Sequence, residues 1–228
     1  MGIHLETEIQ KLKKKVLSLS AIVEDTVYQA VRSLKERNAE LAQRVVDSDS
    51  VIDEREVDIE EECQKILALH QPVANDLRYI ITVLKINAEL ERIGDCTVNI
   101  AERVVFLVTE EPVEFPFDFQ GMARKSQNML HESLDALINF DAELAYKVIA
   151  ADDEVDALNH DIYGLIEECI RKDPGHVNTY IHLLGISRHI ERIADHASNI
   201  AEDVIYLTEG RIVRHRTEQY MPTKEQGS

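Results

Sequence analysis

Apolar positions at the start of this chain recur in alternating steps of four and three: Leu5, Ile9, Leu12, Val16, Leu19, Val23, Thr26 and Ala30. That spacing is a heptad seam and predicts one long amphipathic helix, fading at Arg37-Asn38. A second helical stretch is expected from about Ala39 to Leu69, ending at His70-Gln71-Pro72, and a third from beyond Pro72 to about Thr109. Residues 110–116 break the period with two prolines and lead into Phe117-Asp118-Phe119, marking a boundary between halves. A fourth helix then carries Met122, Ser126, Met129, Leu130, Leu134 and Leu137. A break at Asn139-Phe140-Asp141 precedes a fifth, which ends at Asp173-Pro174-Gly175. The sixth reaches Leu207, and Glu209-Gly210 supplies a left-handed stop. Arg211–Ser228 is polar and aperiodic, the pattern of a frayed tail.

Three long helices joined by short connections must run antiparallel to their neighbours. The expected fold is therefore all-α: two tandem antiparallel three-helix bundles, residues 1–111 and 112–210, then a polar tail at 211–228. Composition agrees. Trp is absent, and 8 Gly and 5 Pro are too few for a sandwich or barrel, which needs a turn signal about every 8–12 residues.

The formal net charge of −18 would repel a phosphate backbone, which excludes direct nucleic-acid binding and suits cations or basic partners. The one basic run, Lys11 to Lys15, stands beside Glu6 and Glu8 and reads as a solvated helix face. Three cysteines far apart, Cys63, Cys96 and Cys169, suggest no disulfide framework and a reducing compartment. No signal-peptide core opens the chain and no apolar run approaches a membrane span, so a soluble, cytoplasmic protein is expected.

The halves repeat one another most clearly at polar positions. Glu91-Arg92-Ile93-Gly94-Asp95-Cys96-Thr97-Val98-Asn99-Ile100-Ala101-Glu102 returns as Glu191-Arg192-Ile193-Ala194-Asp195-His196-Ala197-Ser198-Asn199-Ile200-Ala201-Glu202. Duplicated helices usually keep the apolar stripe and randomise the wet face. Here the charges survived.

Glu91 and Asp95, like Glu191 and Asp195, are i and i+4 and share a helix face. Asp49 and Asp53 on the preceding helix, and Asp152 and Asp156 in the second half, have the same spacing. Folding a hairpin about Pro72 sets Asp53 level with Glu91 and Asp49 level with Asp95. A second hairpin about Asp173-Pro174 sets Asp156 level with Glu191 and Asp152 level with Asp195. Four converging carboxylates repel unless protonated or bridged by cations. Oxygen donors suit Mg²⁺, Mn²⁺, Ca²⁺ and iron and tolerate Zn²⁺. The competing reading is a pair of ordinary solvated faces.

Neighbouring residues carry less. Asn99 and Asn199 extend the stripe by a turn, and His160 is i+4 from Asp156 but matches Val57 in the first half. Cys96 and His196 lie off the stripe and are expected to pack or face water; Arg92 and Arg192 read as salt-bridge formers, and Glu102 and Glu202 as surface or site. No Glu has a His three residues on, as a ferritin-like di-iron site requires. No phosphate cradle or nucleophile–base pair is visible, so catalysis is not expected. The rival class is a carboxylate-bridged metal enzyme or a metal store.

With its doubled Glu-Arg-Ile-(Gly/Ala)-Asp motif, Val45-Val46-Asp47-Ser48-Asp49, and Gln71-Pro72 ahead of Asp76-Leu77-Arg78, the sequence resembles the PhoU family along nearly its whole length. The resemblance implies six helices in two bundles and metal held by E(D)xxxD motifs, as iron or zinc clusters or as magnesium or manganese. The motifs fall on Asp49, Asp53, Glu91, Asp95, Asp152, Asp156, Glu191 and Asp195. It further implies negative regulation of the phosphate-starvation response, as an adaptor between the ATPase of the phosphate ABC transporter and a sensor histidine kinase. Membrane association would then come only through those partners, and a homodimer is the expected assembly. Ala194 replaces the motif glycine present at Gly94, and alanine is the better helix former.

Overall fold

The structure, a computed structural model, describes residues 2–114 and 117–213. Helices α1 (Gly2–Glu36), α2 (Ala39–Asp47), α3 (Asp49–His70) and α4 (Ala74–Thr109) build the first half. Helices α5 (Phe119–Asn139), α6 (Ala142–Lys172) and α7 (Val177–Glu209) build the second, with a short 3₁₀ turn at Pro174–His176. No strand occurs among the described residues. The heptad seam of α1 is buried from Ile9 to Ala30.

The second expected helix is in fact two. Ser48 interrupts it: its Oγ donates to Val45 O at 2.7 Å, and Val51 N bonds back to Ser48 O at 3.1 Å. A serine hydroxyl that competes for a helix carbonyl bends the helix at that turn, and Asp49 begins the new segment. The tail expectation also needs correction at its start. Val213 is buried in the core, so the packed chain extends past Arg211; residues 214–228 lie outside the described residues.

Two turns in the halves are built alike. Arg37 and Phe140 adopt left-handed backbone, with φ of 47° and 55°. The next amides reach back to Ser33 O and Ala136 O, both at 2.9 Å. Asn38 and Asp141 then cap the following helices, accepting from Leu41 N and Leu144 N. Such caps each contribute about 1 kcal/mol.

The bundles lie side by side. α4 runs antiparallel along α7, and α1 crosses to α5, so one hydrophobic cluster passes through both halves. The α4–α7 seam also carries buried polar pairs. Glu89, 6 % exposed, accepts from Arg92 Nη1 at 2.5 Å and Asn199 Nδ2 at 3.1 Å, and its Oε2 lies 2.8 Å from His196 Nδ1. Lys85 Nζ donates to the buried Asp203 at 2.9 Å. Farther along, Phe106 stacks on His182, and the Arg103 guanidinium lies over Gly185, where a Cβ would come within 2.6 Å of it. Arg37 closes the end of α4, donating to Leu107 O and Glu110 O.

Small residues let the hairpin helices approach closely. A Cβ on Gly94 would stand 3.0 Å from Ile52 Cδ1 and 3.2 Å from its Cγ2. The repeat matches Ile52 with Val155 and Gly94 with Ala194, so a methyl gained on one helix is a methyl lost on the other. Gly94→Ala alone should overpack the site at a cost of about 1–3 kcal/mol, exceeding its helix-propensity gain of about 1 kcal/mol. We expect its melting midpoint to fall by about 2–4 °C, and the double variant Gly94→Ala/Ile52→Val to recover it. An unchanged midpoint in the single variant would refute this packing account.

Candidate metal centre

The α6–α7 hairpin brings Asp152, Asp156 and Asp195 together, one oxygen from each lying within 4.8 Å of the others. Asp152 and Asp195 are partly buried and Asp156 is exposed. Asp152 Oδ1 is buried and has no hydrogen-bond partner. Burial, and then the charges of Asp195, Asp156 and Asp153, push the Asp152 carboxyl up to about 7. Glu191 is raised by burial and by Asp195 and Asp156. Asp195 is raised by burial and Asp156, against weaker opposition from His196 and Arg192. The acidic groups therefore face each other with too little positive charge to satisfy them.

This donor set fits a hard cation. Three carboxylate oxygens this close together can converge on a single ion, and carboxylates are the ligands that calcium, magnesium and similar hard ions take. An ion would also satisfy the orphaned Asp152 oxygen.

The α3–α4 hairpin realises the expected register less tightly. Asp49 is raised by burial, then by Asp53, Asp95 and Glu102. Glu91 is raised by burial, then by Asp95, Asp53 and Glu56. Asp49 thus feels Asp95 across the hairpin as well as Asp53 on its own helix, and Glu91 feels Asp53 across it as well as Asp95 on its own. Asp53 and Asp95 are exposed, and among the described residues this half shows no trio as close as the second. Asp49 opens α3, where a helix N-terminus favours a carboxylate; burial and then the neighbouring acids outweigh that help.

Around the quartets, the other candidates divide. Glu102 faces Asp49, and Glu56, which the motif did not mark, faces Glu91. His160 is exposed and outside the trio. Asn99 turns its amide onto Asp95 O at 2.7 Å, whereas Asn199 crosses to Glu89. His196 also goes to Glu89, and Cys96 is buried with its thiol pushed up to about 11 by burial. Arg92 pairs with Glu89, the salt bridge expected of it. Glu89 was the residue missed. Burial pushes it up, but hydrogen bonds from His196 and Asn199 and the charge of Arg92 hold it below the ordinary carboxylate range. Its repeat counterpart is His189, so the repeat gave no signal there.

Comparison with known proteins adds a second line. The family model described as "PhoU domain" matches twice, over residues 16–104 and 119–204. A phosphate-specific transport system accessory protein PhoU homolog of Aquifex aeolicus is 40% identical over 209 residues, covering 92% of this chain and 95% of its own length. A Thermotoga maritima homolog is 35% identical over 213 residues, covering 92% and 90%. Among solved structures, PhoU from Pseudomonas aeruginosa superposes with a TM-score of 0.88 at 36% identity, covering 90% of this chain and 99% of that one. The phosphate transport system regulatory protein PhoU from Streptococcus pneumoniae gives 0.82 at 29%, covering 92% and 99%.

The raised carboxyls have a measurable consequence. An acid whose folded value exceeds its unfolded value binds its proton more tightly in the folded state, so stability falls as pH rises between the two. For Asp152 that window runs from its ordinary value near 3.8 to about 7. Metal-free protein should therefore lose stability between pH 5 and pH 8, on the order of 3 kcal/mol at most from this group. Asp152→Asn should flatten the fall in a denaturation series across that range. A wild-type profile that is already flat would refute the convergence of these acids.

Proposed function

Because this chain belongs to the PhoU family, we propose that it is an accessory protein regulating phosphate transport and that its two acidic hairpins hold metal ions. The observation that carries the first part is likeness, over more than nine-tenths of the chain, to proteins named as phosphate-specific transport system accessory proteins. In finer terms it acts as a negative regulator of phosphate uptake and of phosphate-starvation signalling. It does so as a non-enzymatic cytoplasmic adaptor between the ATPase of the phosphate ABC transporter and the sensor histidine kinase, working as a homodimer. Among the described residues no helix is long and apolar enough to cross a membrane, which accords with membrane contact made through partners.

Asp152, Asp156 and Asp195, with Glu191, would hold the second ion, and Asp49, Asp53, Glu91 and Asp95 the first. Iron, zinc, manganese or magnesium would each supply positive charge that removes the mutual repulsion of these acids. The protein's own contribution is the hairpin register, with Ile52 packed close against Gly94 in the first half.

Two experiments follow. Deleting the gene should switch on a phosphate-starvation reporter in phosphate-rich medium; a silent reporter with normal uptake would overturn the regulatory reading. Separately, an ion at a hundredfold excess over its dissociation constant should add about 2.7 kcal/mol per site, so chelator should lower the melting point and Mn²⁺, Zn²⁺, Mg²⁺ or iron restore it. Asp195→Ala should remove the response of the second half and Asp95→Ala that of the first. Identical melting under chelator and every metal would leave the eight acids as a solvated face.

A further inference from the structure

The groove between α1 and α5 changes character along its length. At one end it is apolar, lined by Leu17, Leu137, Ile138 and Phe140. In its middle Glu24 and His131 pair at 2.9 Å. At the other end a cleft of about 230 Å³ opens between the last turns of α1 and the start of α5. There the charge balance reverses. The whole chain has 43 acids to 25 lysines and arginines, yet this cleft is lined by Arg32, Lys35 and Arg124 against the single carboxylate of Glu36.

That carboxylate is already engaged. Glu36 Oε1 accepts from Arg32 Nε at 2.8 Å, an edge that leaves the Nη groups of Arg32 outside the pair. Lys35 and Arg124 make no ion pair or hydrogen bond among the described residues. Gln120 and Gln127 add amide donors, and Tyr28, 56 % exposed, adds a hydroxyl at the rim. Three cations against one carboxylate still repel one another, by the same physics that drives the acids of the hairpins apart. A small dianion with several acceptor oxygens would satisfy them together, and arginine's planar fork is shaped for such a group.

We propose that this cleft is a receptor for a phosphoryl dianion, bound between Arg32 and Lys35 of the first half and Arg124 of the second. Because the walls belong to different halves, an occupant ties α1 to α5. The source is either free inorganic phosphate or a phosphorylated side chain of another protein; both present the same oxygens. The cleft is formed by α1 and α5, whereas the acidic trio is on α6 and α7. Failure of binding here would leave the metal and transport readings untouched.

The test uses the full chain, stripped of metal so that the acidic hairpins cannot recruit phosphate through an ion. Calorimetric titrations with inorganic phosphate, with a phosphoserine peptide and with its unphosphorylated form separate the sources. Saturable binding of phosphate alone supports a free-ion site, and binding of the phosphopeptide but not its parent supports a protein-borne group. In either case Lys35→Gln and Arg124→Gln should each weaken binding about tenfold, the worth of one charge-assisted hydrogen bond. Both positions are at a cleft surface, and an unchanged helical spectrum checks that the variants fold. If neither probe binds, or if the double variant binds as the wild type does, the cleft is only a solvated cationic rim and the proposal falls.

Discussion

Where α4 meets α7, a carboxylate is taken out of water between two helices and given partners from both. Glu89 has Arg92 on its own helix and His196 and Asn199 on the facing one. Removing one partner of such a buried charge costs about 3–5 kcal/mol, far more than a slipped apolar contact. The pairing therefore fixes how α4 lies along α7. Each acidic hairpin has one of these two helices as an arm: Glu91 and Asp95 follow Glu89 by two and six residues, and Asp195 adjoins His196. A shift of one turn along the seam would strip Glu89 of both its partners on α7, leaving Arg92 alone, and displace one acidic hairpin relative to the other.

The two hairpins express one design to different degrees. Both place acids at matching height, and both rely on small residues, Gly94 or Ala194, to let the backbones approach. Only the second buries its acids enough to leave an orphaned oxygen on Asp152 and lift that carboxyl to about 7. In the first, Ser48 breaks the helix immediately before Asp49, while Asp53 and Asp95 remain exposed. Water can screen those charges, so they need not be drawn so tightly together.

Periodicity made the helices legible because α1 and α4–α7 bury continuous stripes, and the turn at Arg37-Asn38 and its twin at Phe140-Asp141 interrupt them cleanly. Hairpin register was legible because proline fixes where each chain reverses. Ser48 was not, since a serine within a helical pattern is ordinary and only its bond to Val45 O reveals the bend. Val213 looked like tail because one apolar residue has no period. Glu89 escaped because the repeat does not mark it: the seam depends on what the halves do not share, with His189 standing where Glu89 does and Cys96 where His196 does.

That difference has a consequence for who may pair with whom. Suppose two copies of the first half met through α4 with the same geometry. Lys85 would then face Arg103 in duplicate, and Glu89 would find Cys96 in place of a histidine. Two copies of the second half would set Asp203 against the bare backbone of Gly185, and His189 against His196. Either self-match forfeits the Lys85–Asp203 and Glu89–His196 bonds and gains repulsion or buried charge without a partner, the two devices by which proteins reject a wrong mate. The halves have diverged into lock and key, so that mutual choice is written into the seam itself rather than imposed by the peptide that joins them.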